Sequence, residues 1–292
     1  MIVVSSKPGQ LGNMCFVYAH LIARAIESKL EVANAAFNDY AHLFPATSND
    51  LLCRFPPQEP RIRPTPWRRK LTFHLFHFTA RLLPKLRLKL PFLRVITIRD
   101  WRTEINLGNP EFLNSLKPRE LVLLRGWLFR DSEALQKHAD AVRHFFRPHE
   151  KQAQNIAALI ERARKDVDVL VGVHIRHGIL YFANARHYFF TTKRYAEVMD
   201  EVVALFPGKR VGFLICSDWP QDPEMFERFK VTLGTGDIIE DLYGFSSCDY
   251  IIGPQSTFTV WASFYGKVPL NVITATDRGR TLDDFQVRLP YE

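Results

Sequence analysis

The chain has 292 residues, of which 47% are hydrophobic and 13% aromatic. That suits two domains with real cores and excludes an intrinsically disordered chain. Net charge is +8, yet the excess is local: Arg61, Arg63, Arg68, Arg69, Lys70, Arg81, Lys85, Arg87, Lys89 and Arg94 follow one another with no Asp or Glu among them.

Ile2 to Val4 predicts a short buried strand, followed by a polar, glycine-bearing turn from Ser5 to Asn13. Phe16, Ala19, His20, Ala23 and Ile26 continue at helical spacing to about Ser28. Glu31 to Ala36 predicts a second strand, and Asn38 to Pro66, rich in Pro, Asn and Asp, a loop. The opening MIVVSSKPGQ lacks the basic and apolar regions of a signal peptide. No apolar run approaches the roughly 20 residues that span a bilayer. Trp67 to Leu90 is basic and apolar, and Pro84 predicts its division into two short helices. Strands are expected at Val95 to Ile98 and Leu121 to Leu124. A helix capped by Asp131 or Ser132 should reach about Phe146, and a further one should run from Pro148 to near Arg164.

From Asp168 the alternation is regular: a strand ending at His174, a helix from about Thr192 to Leu205, and a strand from Val211 to Cys216 stopping at Ser217 and Asp218. Helices near Glu224 to Phe229 and over Ile238 to Phe245, a strand at Tyr250 to Ile252, a helix from Ser256 to Tyr265 and a last strand at Leu270 to Ile273 complete the chain. The expected fold class is α/β, in two halves meeting near Pro148. Cys15, Cys53, Cys216 and Cys248 have no CxxC or zinc spacing. Cys216 and Cys248, in or beside apolar runs, read as buried thiols, and a reducing compartment is the default expectation.

Three elements carry chemistry. DVLVGVHIRHG (Asp168 to Gly178) sends a core strand into His174, Arg176, His177 and Gly178. Ligands of open α/β sheets bind at such strand ends, and Arg is the side chain best shaped to grip a phosphate with two parallel bonds. Gln255, Ser256, Thr257 and Phe258 open a helix whose free N–H groups make a phosphate seat, although Ser256 would serve equally as a plain N-cap. The third element is the opening turn Gly9, Gln10, Leu11, Gly12, Asn13, which lacks GxGxxG and the Lys-Ser/Thr of a P-loop.

In this order the elements resemble the α-1,2-fucosyltransferase family and its wider superfamily. PGQLGNMCFVYA is similar to the family's GGLGNQMFQYA-like turn, HIRHGI to HIRRGD, and PQSTFTVWASFYG to NSTFSWWAAWLG. GWLFRDSEALQKHADAVRHFF resembles the GYWQSEKYF segment, and Cys216, Ser217 and Asp218 match an FSDD-like strand end. The resemblance spans the chain except about Asn38 to Arg119.

That resemblance implies a GT-B architecture of two Rossmann-like domains with a cleft between them: an N-terminal acceptor-side domain over 1–148, with a basic helical insertion over 61–94, and a nucleotide-sugar domain over 149–292. It implies transfer of fucose from GDP-β-L-fucose, with inversion and without a metal, to a hydroxyl of an acceptor glycan or glycolipid in surface polysaccharide or glycolipid synthesis. Arg176 would hold the β-phosphate and stabilise the departing GDP, and His174 would contact the nucleotide. Gly178 follows them in the same motif on the donor side. Gln255 lies beside Ser256, Thr257 and Phe258, which would bind pyrophosphate and brace the sugar, and Asp218 would accept from the guanine edge. Gly12 and Asn13 would face the cleft from the acceptor side, and Asp39 and His42 are further acceptor-side candidates, or ordinary solvated loop residues. Three positions depart from the pattern: Ile179 replaces the Asp after HxRxG, so a base there must be another group or none; Met14 replaces a Gln; Trp219 replaces the second Asp of FSDD.

The basic segment has two readings: a stretch lying in the headgroup region of an anionic membrane, which would place the chain in the cytoplasm at the membrane's inner face, or an insertion shaping the acceptor cleft. No nucleic-acid module is present and no nucleic-acid partner is expected. His74 and His77 lack a third ligand nearby in sequence, so no metal site is expected. The competing functional reading is a non-catalytic, membrane-associated nucleotide or glycan binder of the same fold, motivated by Ile179; within the enzyme class, another GDP-sugar is the nearest alternative donor.

Overall fold

In the computed structural model the opening apolar run forms β1 (Ile2–Val4), wholly buried, and the glycine turn leads into α1 (Leu11–Ser28). The structure describes all residues except 60–61, 89, 101–102, 179–187, 275–278 and 291–292. Arg61, Lys89 and Ile179 therefore lie outside the described residues. The chain divides into two units, Met1–His149 and Glu150–Pro290.

In the first unit β2 (Val32–Asn34) lies parallel to β1, with Val3 opposite Ala33. The segment expected to be loop is instead ordered into two 3₁₀ turns (Ala35–Asp39 and Ala41–Leu43), α2 (Pro45–Ser48) and β3 (Arg54–Phe55), an antiparallel edge strand. Its Pro and Asp residues obscure a buried aromatic group: Phe37 meets Tyr18 of α1 at a centroid distance of 6.1 Å and Phe44 at 5.9 Å, and Phe44 meets Phe146 at 5.3 Å.

Trp67 to Leu90 does not split into two helices. α3 (Pro66–Lys85) is continuous, because Pro84 falls in its last turn, where a missing N–H and a clashing ring end a helix rather than divide it. β4 (Leu93–Thr97), β5 (Ile105–Asn106), α4 (Pro110–Ser115), β6 (Leu121–Arg125) and β7 (Phe129–Arg130) follow. The main sheet runs β3-β2-β1-β6-β4, parallel except at its β3 edge. The helix expected from Asp131 to Phe146 breaks at His138 into α5 (Ser132–Lys137) and α6 (Ala139–Phe145). Asp131 is the cap, accepting from the Ala134 N–H, while the His138 ring turns to Glu27.

The second unit is a five-stranded parallel sheet in the order β10-β9-β8-β11-β12. α7 (Glu150–Arg164) starts two residues after Pro148 and leads to β8 (Val169–Ile175), the central strand. Strands covered on both faces read as continuous apolar runs, as VLVGVHI does. α8 (Thr192–Ala204) and β9 (Val211–Ser217) come next. Where a helix over Glu224 to Phe229 was expected, a 3₁₀ turn (Pro223–Phe226) is followed by an unanticipated strand, β10 (Lys230–Leu233). Four residues with a charged end are too short a pattern to separate from a turn. α9 (Ile238–Phe245), β11 (Tyr250–Gly253), α10 (Thr257–Gly266) and β12 (Leu270–Val272) complete the unit. Val171, Val173, Met199, Phe213 and Ile252 are the centre of its core. The four cysteines are buried and free.

Candidate functional site

β8 has β9 on one side and β11 on the other. The chain leaves β8 toward β9 and later returns on the opposite side to β11, so the carboxyl ends of β8 and β11 part at the topological switch point of the sheet. Crevices at such points are where open α/β sheets bind ligands. Arg176 follows the end of β8 and Ser256 the end of β11.

These residues, 80 apart in sequence, are joined: Arg176 Nη1 donates to Ser256 Oγ at 3.1 Å. Ser256 Oγ also accepts from the Phe258 N–H at 3.2 Å, so Ser256 is at once the N-cap of α10 and the contact of the guanidinium. Thr259 Oγ1 donates to the Ser256 carbonyl at 3.0 Å and fixes the cap from inside. Two positive features thus converge, a guanidinium and the N-terminal end of a ten-residue helix. Burial pushes the Arg176 pKa down from its usual value, with Asp218 opposing. A guanidinium and a helix N-terminus that converge in a half-buried crevice both favour an anion, which is what a phosphate seat requires. Thr257 and Phe258 are half-buried in the first turn and Gln255 is exposed.

His174 lies in β8 and is buried. Its ring sits 5.2 Å from that of Phe258 and 6.0 Å from that of Phe245, and its Nδ1 has no partner among the described residues. Burial first, and Arg176 second, hold its pKa down at about 3. At neutral pH it is an uncharged ring able to donate or accept one hydrogen bond, and not a proton-donating acid.

His177 does not join it. Its Nε2 bonds the Phe190 carbonyl at 2.6 Å and its Nδ1 the Gln221 amide at 3.2 Å, so it braces the loop. Asp218 does the same from β9: Oδ1 accepts from the His177 and Gly178 N–H groups at 2.7 and 2.9 Å. A Cβ on Gly178 would come within 2.6 Å of Asp218 Oδ2. Glycine is required there by space. Gly178→Ala should cost about 1–3 kcal/mol of local packing and displace the loop carrying Arg176. Binding of inorganic pyrophosphate, measured by calorimetry, should weaken at least about tenfold while the sheet still unfolds cooperatively; unchanged affinity would show that the loop does not set the site.

Beside this loop, at the ends of β9 and β10, is a cavity of about 480 Å³ lined by Ser217, Asp218, Trp219, Thr235 and Asp241 among others. Asp241, on α9, accepts from the Thr235 N–H at 2.9 Å, and burial raises its pKa. Thr235 and Asp241 went unnoticed in the sequence. The signal was the Gly-Thr-Gly-Asp turn (Gly234 to Asp237), which marks a strand end only once β10 is recognised.

The acceptor-side candidates lie in the first unit. Gly12 is buried and Asn13 half-buried in the first turn of α1, where Asn13 Nδ2 donates to the Pro8 carbonyl at 3.2 Å. Gly9, with φ +147°, closes this turn against Asn13. Asp39 is exposed and pairs with Lys7 at 2.5 Å, tying the segment after β2 to the segment after β1. His42 is exposed, and its carbonyl lies 3.1 Å from His149 Nε2. His77 bonds the Ser5 carbonyl through Nδ1 and stacks near Phe73, a structural placement. Among the described residues no group of three or more His, Cys, Asp or Glu is placed to hold a metal ion.

No family model and no curated protein matches the chain. Solved structures do. A mutant of Arabidopsis thaliana FUT1 in complex with GDP shares 13% identity at a TM-score of 0.61, covering 98% of this chain and 73% of the other. Fucosyltransferase NodZ from Bradyrhizobium shares 15% at 0.57, covering 96% of each. POFUT1 in complex with GDP-fucose shares 10% at 0.52, covering 94% of this chain and 97% of the other. The fold is therefore that of GT-B fucosyltransferases, with Rossmann-like α/β units.

Proposed function

We propose that this protein is an inverting glycosyltransferase that moves fucose from GDP-β-L-fucose to a hydroxyl of an acceptor glycan or glycolipid in surface polysaccharide or glycolipid synthesis. The observation that carries this reading is the convergence of Arg176 with the Ser256-capped N-terminus of α10. The pyrophosphate lies between them. As the bond from the anomeric carbon to the β-phosphate oxygen lengthens, negative charge builds on that oxygen, and Arg176 together with the first N–H groups of α10 meets it. These donors are fixed before the reaction, so little reorganisation opposes the charge. Arg176 supplies the charge that a metal ion brings elsewhere, and the reaction proceeds without one. His174, neutral and with Nδ1 available, offers a hydrogen bond to the nucleotide.

The base extends into the 480 Å³ cavity at the ends of β9 and β10. Guanine presents two adjacent donors, N1–H and the 2-amino group, which a carboxylate accepts as a pair; uracil has no such pair. Asp218 and Asp241 are the carboxylates lining that cavity. The α-1,2 linkage rests on the order of motifs shared with the α-1,2-fucosyltransferase family.

The test is thermal unfolding of the purified chain with GDP, GDP-fucose, GDP-mannose and UDP in turn. A nucleotide at about 100 times its Kd should stabilise the fold by about 2.7 kcal/mol, a shift of several degrees. GDP and GDP-fucose should shift it and UDP should not. A larger shift with GDP-mannose than with GDP-fucose would assign another GDP-sugar as donor, and no shift with any guanine nucleotide would overturn the reading. GDP binding with no turnover on any acceptor would favour the non-catalytic binder that Ile179 suggests.

A further inference from the structure

α3 has two apolar faces. One is covered: Phe73 and Ala80 are buried, and Ala80 and Phe76 pack with Val3, Leu93, Val95 and Leu123 of the first sheet. The other is bare. Trp67, Leu71, Leu75, Phe78 and Leu82 are 61, 62, 64, 53 and 51% exposed. At 3.6 residues per turn these five, with Leu86 just past the helix, project within an arc of about 100°. Soluble monomers scatter exposed apolar side chains singly; a continuous stripe along a helix about 30 Å long marks a surface that something covers.

Charge selects what covers it. Lys70, Arg81, Lys85 and Arg87 are exposed around the stripe, and Arg68 lies over the Trp67 ring at 5.3 Å. Arg69 and Arg94 are not part of this set. Arg69 is buried and donates to the Thr47, Ser48 and Asp50 carbonyls, and Arg94 pairs with Glu120. From Arg61 to Arg99 there is no acidic residue. Helix-to-helix protein interfaces pair flanking charges of both signs. Charge of a single sign around an apolar stripe is complemented by a continuous negative surface. At the C-terminal end of the helix a cavity of about 770 Å³ is lined by Leu83, Leu88, Leu90 and Leu93 with Arg87 and Lys117, and by Glu120, whose charge Arg94 pairs. No helix among the described residues is long and apolar enough to cross a membrane.

We infer that α3 is an interfacial helix. It lies along the surface of an anionic lipid bilayer, with the Trp67-to-Leu82 stripe in the acyl boundary and the surrounding Lys and Arg side chains among the headgroups. Docking of this kind depends on α3 alone and not on the identity of the donor.

The experiment is sedimentation of the full chain with vesicles of phosphatidylcholine mixed with phosphatidylserine, against phosphatidylcholine alone. The chain should pellet with the anionic vesicles only. Binding should weaken as salt rises from about 0.1 M to about 1 M, because the screening length falls from about 10 to about 3 Å. The Leu71→Ser, Leu75→Ser, Phe78→Ser variant should lose at least about tenfold in binding while keeping its circular dichroism, since these side chains leave water only on docking. Lys70→Gln with Arg81→Gln, both exposed, should lose about 20- to 30-fold, each cation contributing about fivefold. Absence of binding to anionic vesicles, or binding unchanged in both variants, overturns the inference. So does a dimer in analytical ultracentrifugation that the serine variant converts to monomer, which would assign the stripe to a second copy of the chain.

Discussion

Arg176→Ala should reduce fucose transfer by about 10²- to 10³-fold, the range measured when one preorganised donor to a developing negative charge is removed. The loss should be larger in kcat than in GDP affinity, because the β-phosphate oxygen gains charge as the glycosidic bond breaks and Arg176 gains most from that change. The fold should survive: the bond to Ser256 is worth about 1 kcal/mol, and removing a half-buried guanidinium from beside a helix N-terminus relieves repulsion. Arg176→Lys should fall between the two, since an ammonium keeps the charge but not the planar fork that spans two phosphate oxygens. The measurement is initial rate against GDP-fucose concentration for all three proteins, with thermal unfolding as the control. Wild-type turnover in Arg176→Ala would remove this residue from the mechanism.

Acidification should destabilise the second unit through His174. Its folded pKa is held down at about 3, below its ordinary 6.5. Above pH 6.5 the ring is neutral in folded and unfolded chains alike, and its burial carries no proton-linked penalty. Between 6.5 and about 3 the unfolded chain takes up a proton that the folded chain refuses, so stability falls by up to about 1.4 kcal/mol per pH unit from this group. Below about 3 both states are protonated and the loss levels off. Carboxylates also titrate in this range, so the informative quantity is a difference: urea unfolding from neutral pH to about pH 4 for the wild type and His174→Gln. The variant should be less stable at neutral pH, through poorer packing against Phe245 and Phe258, yet show a shallower acid limb. Parallel limbs would mean that His174 takes up its proton in the folded state.

The strand and helix ends that carry Arg176 and Ser256 were legible because their signals are local. VLVGVHI is the kind of run that a strand covered on both faces needs, and Arg176 and His174 fall at the carboxyl end of that strand. Ser256 before an apolar helix is a cap signal confined to three residues, and its side chain accepts from the Phe258 N–H as such a cap does. The acid-free cationic stretch is likewise a property of consecutive residues. Other parts were hidden for stated reasons: β10 is four residues long and begins with a charged residue, Asp241 acquires its meaning only from the cavity that β10 helps to form, and the buried aromatic cluster of the first unit lies in a segment whose Pro and Asp content imitates loop.

Local patterning by itself determined the two α/β halves, the strand end that carries Arg176 and the charge of α3. Tertiary structure alone decided the rest. It set Asp218 on the loop N–H groups and His177 on a carbonyl, took Arg69 out of the surface charge, and separated the covered face of α3 from the bare one. The physical reason is the same in each case. Hydrogen bonds and burial are made between residues 13 to about 120 positions apart, and periodicity within a helix reports how many faces are apolar but not which of them the sheet occupies.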